Sequence, residues 1–261
     1  MPIIGKCKLC LAEGVELQDS HFLSKGIYKA LRIDVGQANP NPYVLSPEGV
    51  VQTSKQRKAH LLCRRCELLL SQNGEDWMMR NGLKNTGKFV LASLLAKSPF
   101  SLDASRTARV YQAATILGIN IKALTYFPAS LFWRGSIHPW KTDNTRPVPL
   151  GPYEEPLRQY LLGQADFPTD MILTVTVRSP SDISHFTHEP IAEWHDLLLV
   201  GKFPMPGFAF GITAGIGIPQ GLRNTCFVRG DGNPIFVTDA LESYILSEGV
   251  KMLERINYKT S

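Results

Sequence analysis

Gly5-Lys6-Cys7-Lys8-Leu9-Cys10-Leu11-Ala12-Glu13-Gly14 and Leu61-Leu62-Cys63-Arg64-Arg65-Cys66-Glu67 decide the reading of this chain. Each stretch holds a Cys-x-x-Cys pair. That spacing lets one turn of chain aim both sulfurs at one point. Two such pairs supply the four soft ligands that tetrahedral Zn²⁺ takes at about 2.3 Å. Cys7, Cys10, Cys63 and Cys66 are therefore read as ligands of one structural zinc ion. The alternatives are a redox site or two unrelated pairs; disulfides are rare in a reducing cytosol. Cys226, the fifth cysteine, falls in an expected strand and reads as a plain buried thiol.

Outward from the pairs, residues 5–14 read as a zinc knuckle and 15–23 as a short strand. Ser24 is placed to cap a helix over about 25–32, with Ile27, Tyr28 and Leu31 at helical spacing. Gly36, Asn39, Pro40, Asn41 and Pro42 break the chain into a loop. Tyr43–Leu45 and Val50–Thr53 flank Pro47-Glu48-Gly49 as a hairpin. A helix is expected from about Glu67. Knuckle, hairpin and helix together make a treble-clef-like unit, with an unusually long insert between the two pairs.

Beyond the module, residues 86–140 read as mainly helical. Asp103 would cap a helix to about Leu117, and 119–135 is apolar almost all round, hence buried, with Pro128 expected to kink or split it. Four prolines in 139–152 suggest a linker, and Tyr153–Leu162 a short amphipathic helix. Met171–Val177, Phe208–Thr213, Thr225–Arg229 and Ile235–Thr238 read as strands, the last two joined at Gly230-Asp231-Gly232-Asn233 as a hairpin. Asp239 would cap a C-terminal helix to about Arg255. The fold class is α+β, with a treble-clef/HNH-like zinc module (1–85), a helical region (86–140) and an α+β region with antiparallel strands (141–261) for substrate or partner binding.

Between the cysteine pairs stands Asp19-Ser20-His21-Phe22-Leu23-Ser24-Lys25, with Tyr28 following; further on comes Phe127-Pro128-Ala129-Ser130-Leu131-Phe132-Trp133-Arg134. With Leu61–Glu67 these resemble the HNH (ββα-metal) nuclease family. They look closest to bacterial proteins with the signature Cys-x-x-Cys, Ser-His-Phe-Ile-Pro-Lys, Leu-Leu-Cys-x-x-Cys-Glu and then Phe-Ala-Leu-Ser-x-Leu-Trp-Arg. The resemblance covers roughly residues 5–135. It implies that His21 is a general base and Glu67 a ligand of a catalytic Mg²⁺ or Mn²⁺, while the zinc is structural. The chain departs from the family in two places. Ser20 stands where an acidic residue or His is usual; Asp19, one residue back on the face of His21, is placed to replace that ligand or orient the imidazole, and with His60 it is a lesser catalytic candidate. Lys58 stands where an Asn is usual, with His60 nearby.

Plainer readings accompany each. His21 can fix the knuckle by a hydrogen bond, and Glu67 can serve the helix dipole. His60 can be a solvated residue. Lys55, Arg57, Lys58, Arg64 and Arg65 form a basic cluster that reads as a phosphate-contacting patch or a solvated face. Trp133 and Arg134 read as core packing with one buried arginine, or Arg134 meets a phosphate. His185, His188 and His195 form a second candidate metal set, His-x-x-His-x6-His, but with no cysteine and no helix face about them they read as loop and surface residues. No Gly-x-Ser-x-Gly elbow and no Walker lysine supports a hydrolase triad or a nucleotide loop.

The 261 residues carry 44% hydrophobic and 20% charged side chains and a net charge of +5, the balance of a globular protein with a mild preference for polyanions. No apolar run nears the roughly 18 residues of a membrane span, and no signal peptide is read, so the expectation is a cytoplasmic protein. The function expected is an HNH-like endonuclease acting on DNA or RNA, by analogy an effector of anti-phage defence. The rival is a zinc-stabilised subunit without catalysis that binds nucleic acid or protein, in a complex or as a homo-oligomer. A third reading places an enzyme site in the C-terminal half.

Overall fold

The computed structural model describes the chain except for residue 1 and segments 31–40, 42, 47–48, 53–55, 85, 104–105, 107, 141–147, 179–185, 189, 206 and 239–261. Lys55, His185, the end of the helix expected over 25–32 and the C-terminal helix expected from Asp239 lie outside the described residues.

β1 (Ile3–Gly5) and β2 (Val15–His21) flank the first cysteine pair and run antiparallel. α1 (Lys25–Ala30) follows, then the expected hairpin of β3 (Tyr43–Ser46) and β4 (Gly49–Gln52). β5 (Lys58–Cys63) returns along β2, giving the order β1-β2-β5. It leads straight into α2 (Arg64–Leu70), with Cys63 extended at the N-cap. The helix thus begins at Arg64, not near Glu67. Cys63 and Cys66 then lie one turn apart on one helix flank, where residues at i and i+3 are neighbours. It continues through a π turn (Ser71–Glu75) into α3 (Asp76–Asn81).

After α4 (Val90–Leu95) the chain departs from expectation. β6 (Ser101–Leu102) follows, and the helix read from Asp103 to Leu117 gives way to β7 (Arg109–Gln112) and a 3₁₀ turn (Ala113–Thr115). Pairing decides this: β7 lies along a distant strand and buries Tyr111, and such tertiary contacts override a weak helix propensity. α5 (Ile121–Ile137) starts where the Asn120 side chain accepts from the Ala123 N–H (2.9 Å). It passes through Pro128 as one continuous helix. Buried from Ala123 to Ser136, it is held on all sides, and burying Phe127, Phe132 and Trp133 at about 1.5–3 kcal/mol each outweighs the proline's cost of about 3 kcal/mol.

α6 (Glu154–Leu161) is the expected amphipathic helix. β8 (Met171–Arg178), β9 (Phe186–His188), β10 (Ile191–His195), β11 (Leu198–Met205), β12 (Phe208–Gly215), α7 (Gln220–Asn224) and β13 (Pro234–Thr238) complete the described chain. The large sheet has the order β10-β11-β12-β8-β13-β7-β6, while β9 lies parallel to β3. Strands at β8, β12 and β13 match expectation; β10 and β11 were not foreseen, and His195 stands on β10. Residues 225–229 are turn, not strand. There Phe227 is buried with its N–H on the Leu173 carbonyl (2.7 Å), and Arg229 reaches the carbonyl of Thr169 (3.0 Å). The turn at 230–233 is real, with Gly232 and Asn233 both left-handed, but it joins no hairpin; β13 runs parallel to β8.

One buried cluster runs from Cys7 to Val237. Phe127 of α5 meets Phe210 of β12 (5.9 Å between ring centres). Phe22, just after β2, lies 5.2 Å from Trp140 and edge-on to Phe203 of β11 at 6.2 Å. The cysteine module and the large sheet therefore share their core. Among the described residues no helix is long and apolar enough to cross a membrane.

Candidate functional site

The first cysteine turn closes on itself. Leu11 N–H donates to the Cys7 carbonyl and Cys7 N–H to the Ala12 carbonyl, both at 2.9 Å, with Leu11 left-handed at φ 61°. Lys8 N–H then donates to the Leu61 carbonyl (2.9 Å), which sets this turn against β5 and the start of α2. Arg158 of α6 holds the same turn from outside by donating to the Leu9 carbonyl (2.6 Å). As a result the sulfurs of Cys7, Cys10, Cys63 and Cys66 all lie within 4.8 Å of one another.

The electrostatics of this cluster suit a cation. The Cys7 thiol is lowered to about 4, first by a hydrogen bond from Cys66, with burial opposing and the N–H groups of Cys63, Cys10 and Leu9 assisting. Cys66 is raised by its hydrogen bond to Cys7, by burial and by the neighbouring sulfur charge. The Cys63 N–H lies 3.4 Å from the Cys7 sulfur. A buried thiolate surrounded by three more sulfurs at this spacing is the donor set of a soft four-coordinate ion, and the cluster could hold a metal such as zinc. Cys226 is buried apart from it.

His21 and Glu67 come together. Both line an open cleft of about 320 Å³ whose wall includes Ser24, Lys25, Glu75 and Arg134. His21 ends β2, where the Phe22 N–H donates to the Arg57 carbonyl (3.0 Å) and the Arg57 N–H to the Tyr28 hydroxyl (3.2 Å). Glu67 stands on α2 directly after Cys66. The His21 Nε2 and Glu67 Oε1 atoms are buried and have no hydrogen-bond partner. Burial lowers the His21 pKa below its usual 6.5, helped by Lys58 and Lys25 and opposed by Asp19 and Gln56. Burial raises the Glu67 carboxyl, against a hydrogen bond to Ser20 and the charge of Arg134.

The other predicted residues lie elsewhere. Asp19 sits opposite His60 across β2 and β5 and is engaged by Lys58 (2.7 Å), so it lines no part of the cleft, and neither does His60, which is exposed. Arg57 is half-buried, its main chain tied to Tyr28 and Phe22. Arg64 and Arg65 are exposed. Sequence reading gives no site role to Ser20, Lys25 or Glu75, and takes Arg134, a charge set in an apolar helix, only as a buried arginine or a phosphate contact.

A larger cavity of about 710 Å³ lies on the far sheet, lined among others by Gln112, Arg223 and Arg229. Its arginines are tied to the main chain: Arg229 donates to the carbonyls of Phe167, Thr169 and Met171, and Arg223 Nε to that of Ile218. The smaller cleft is the better site, because its orphaned polar atoms call for a ligand. No family model matches the chain, and no curated protein and no solved structure matches it.

Proposed function

We propose that the protein is an HNH-like, metal-dependent nuclease that hydrolyses phosphodiester bonds of DNA or RNA, on a treble-clef-like unit held by one structural Zn²⁺. The observation that carries this reading is the pairing, in one open cleft, of a buried imidazole nitrogen and a buried carboxylate oxygen that lack partners. The Glu67 oxygen is the donor type that Mg²⁺ or Mn²⁺ takes, and such an ion when bound would polarise the phosphate and stabilise the leaving oxygen, while the His21 nitrogen stays free to act as base.

Burial keeps His21 neutral at pH 7, so its Nε2 can take a proton from an attacking water. Glu67, once ionised, supplies the oxygen ligand. Lys25 at the rim and the exposed Arg64 and Arg65 draw in the phosphate backbone. Residues 141–261 serve substrate or partner binding, and a role in anti-phage defence accords with this chemistry.

A second reading, a zinc-stabilised subunit that binds without cutting, is favoured by Asp19. Its capture by Lys58 leaves the two family departures uncompensated. Plasmid and single-stranded DNA incubated with wild type and His21→Ala, each with one zinc per chain, in Mg²⁺ or Mn²⁺, separate the two. Metal-dependent cutting by wild type alone supports the nuclease; binding without cutting by both supports the subunit.

A further inference from the structure

Arg134 stands on α5, 113 residues beyond His21 in the chain, and its side chain is 3% exposed. Its donors are spent on the walls of the cleft. Nη1 donates to the main-chain carbonyl of His21 (3.0 Å) and Nη2 to Glu75 Oε1 (2.6 Å) and Ser130 Oγ (3.3 Å). Nε donates to the Ser130 carbonyl (3.4 Å). The planar fork thus joins the end of β2, the π turn and its own helix.

The π turn makes this possible. In a regular α-helix, Glu75 would lie about 80° around the axis from Glu67, at 3.6 residues per turn. The wider π turn takes that rotation back, and Glu67, Ser71 and Glu75 all face the cleft. Gly74 fixes the contact between this turn and α5, since a Cβ there would sit 3.0 Å from the Phe127 backbone. A buried ion pair is weak evidence for stability as such, because desolvation offsets its attraction; what this one supplies is a fixed place for each partner.

We infer that Arg134 is the positioning residue of the cleft: by tying the His21 carbonyl to Glu75 it holds the imidazole opposite Glu67. Arg134 touches no reacting atom in this scheme; it acts through His21. The kinetic arm of the test rests on the nuclease reading, and the chemical arm does not.

Arg134→Lys keeps the charge but cannot span all three elements. Ser130→Ala removes one support and leaves the ion pair intact, so it serves if the lysine variant does not fold. Each is compared with wild type for zinc content, for the rate at which diethyl pyrocarbonate modifies His21, read by mass spectrometry with His138 as the internal control, and for kcat and KM on DNA. The expected result is one zinc throughout, faster modification of His21 with His138 unchanged, and kcat lowered about 10²-fold in Arg134→Lys at constant KM, the effect of a small misplacement. Unchanged His21 modification in the folded variants overturns the inference. If wild type does not cut, the nuclease reading falls, and the modification rates alone decide the role of Arg134.

Discussion

Replacing Cys66 by serine tests the centre on which the rest depends. Cys7 and Cys66 are fully buried, and their sulfurs are hydrogen-bonded to each other. The sheet they tie together has β1 of three residues as one edge strand, too little to stand by itself. Structural zinc contributes about 10–16 kcal/mol to folding in small zinc modules. Losing even a third of that removes about 3–5 kcal/mol, a large share of the roughly 5–15 kcal/mol of a whole domain. At about 2–4 °C per kcal/mol for a chain of this size, Cys66→Ser should lower Tm by about 6–20 °C and abolish stoichiometric zinc. Metal analysis and thermal unfolding read both. Cys226→Ser, at a buried thiol outside the cluster, should leave zinc at one per chain. If Cys66→Ser retains one zinc and melts with wild type, the four-cysteine centre is refuted.

Glu67→Gln should separate stability from function. The folded pKa of Glu67 is raised, so its contribution to stability is present below the unfolded value of 4.5 and is lost as pH rises through the folded value. The glutamine variant should therefore melt at or above wild type at pH 8, with no such gain at pH 4, and should lose Mn²⁺-dependent cutting; a lower Tm at pH 8 would count against a strained carboxylate. Phe22→Ala empties the contact with Trp140 and Phe203 and should cost about 3–5 kcal/mol in urea unfolding; a loss under 1 kcal/mol would show that the module and the large sheet do not share a core. Arg64→Ala with Arg65→Ala should flatten the salt dependence of DNA binding by about 2 in log–log slope; an unchanged slope removes both from the interface.

Much of the fold could be read along the chain. The strand at 15–21, the hairpin at 43–52, the buried helix at 121–137 and the strands β8, β12 and β13 follow from local period and turn residues. The errors share one cause. Arg109–Gln112 falls in a stretch read as helix behind the Asp103 cap, yet its Val110 and Tyr111 suit a strand and β13 offers the partner. Thr225–Arg229 carries strand residues, yet it is turn because Phe227 and Arg229 are pinned to backbone groups of residues 167–173.

The site divides in the same way. Two Cys-x-x-Cys pairs single out from sequence alone the four sulfurs that cluster, because a two-residue spacing fixes the direction of both sulfurs through local chain geometry. The motif also singles out His21 and Glu67. Whether they share a cleft is set by β2 against β5, by a π turn and by an arginine on α5, none of which short-range pattern encodes. Tertiary packing alone placed Asp19 and His60 outside the cleft and tied Arg134 and Glu75 into its wall, because burial and ion pairing depend on which distant segments meet.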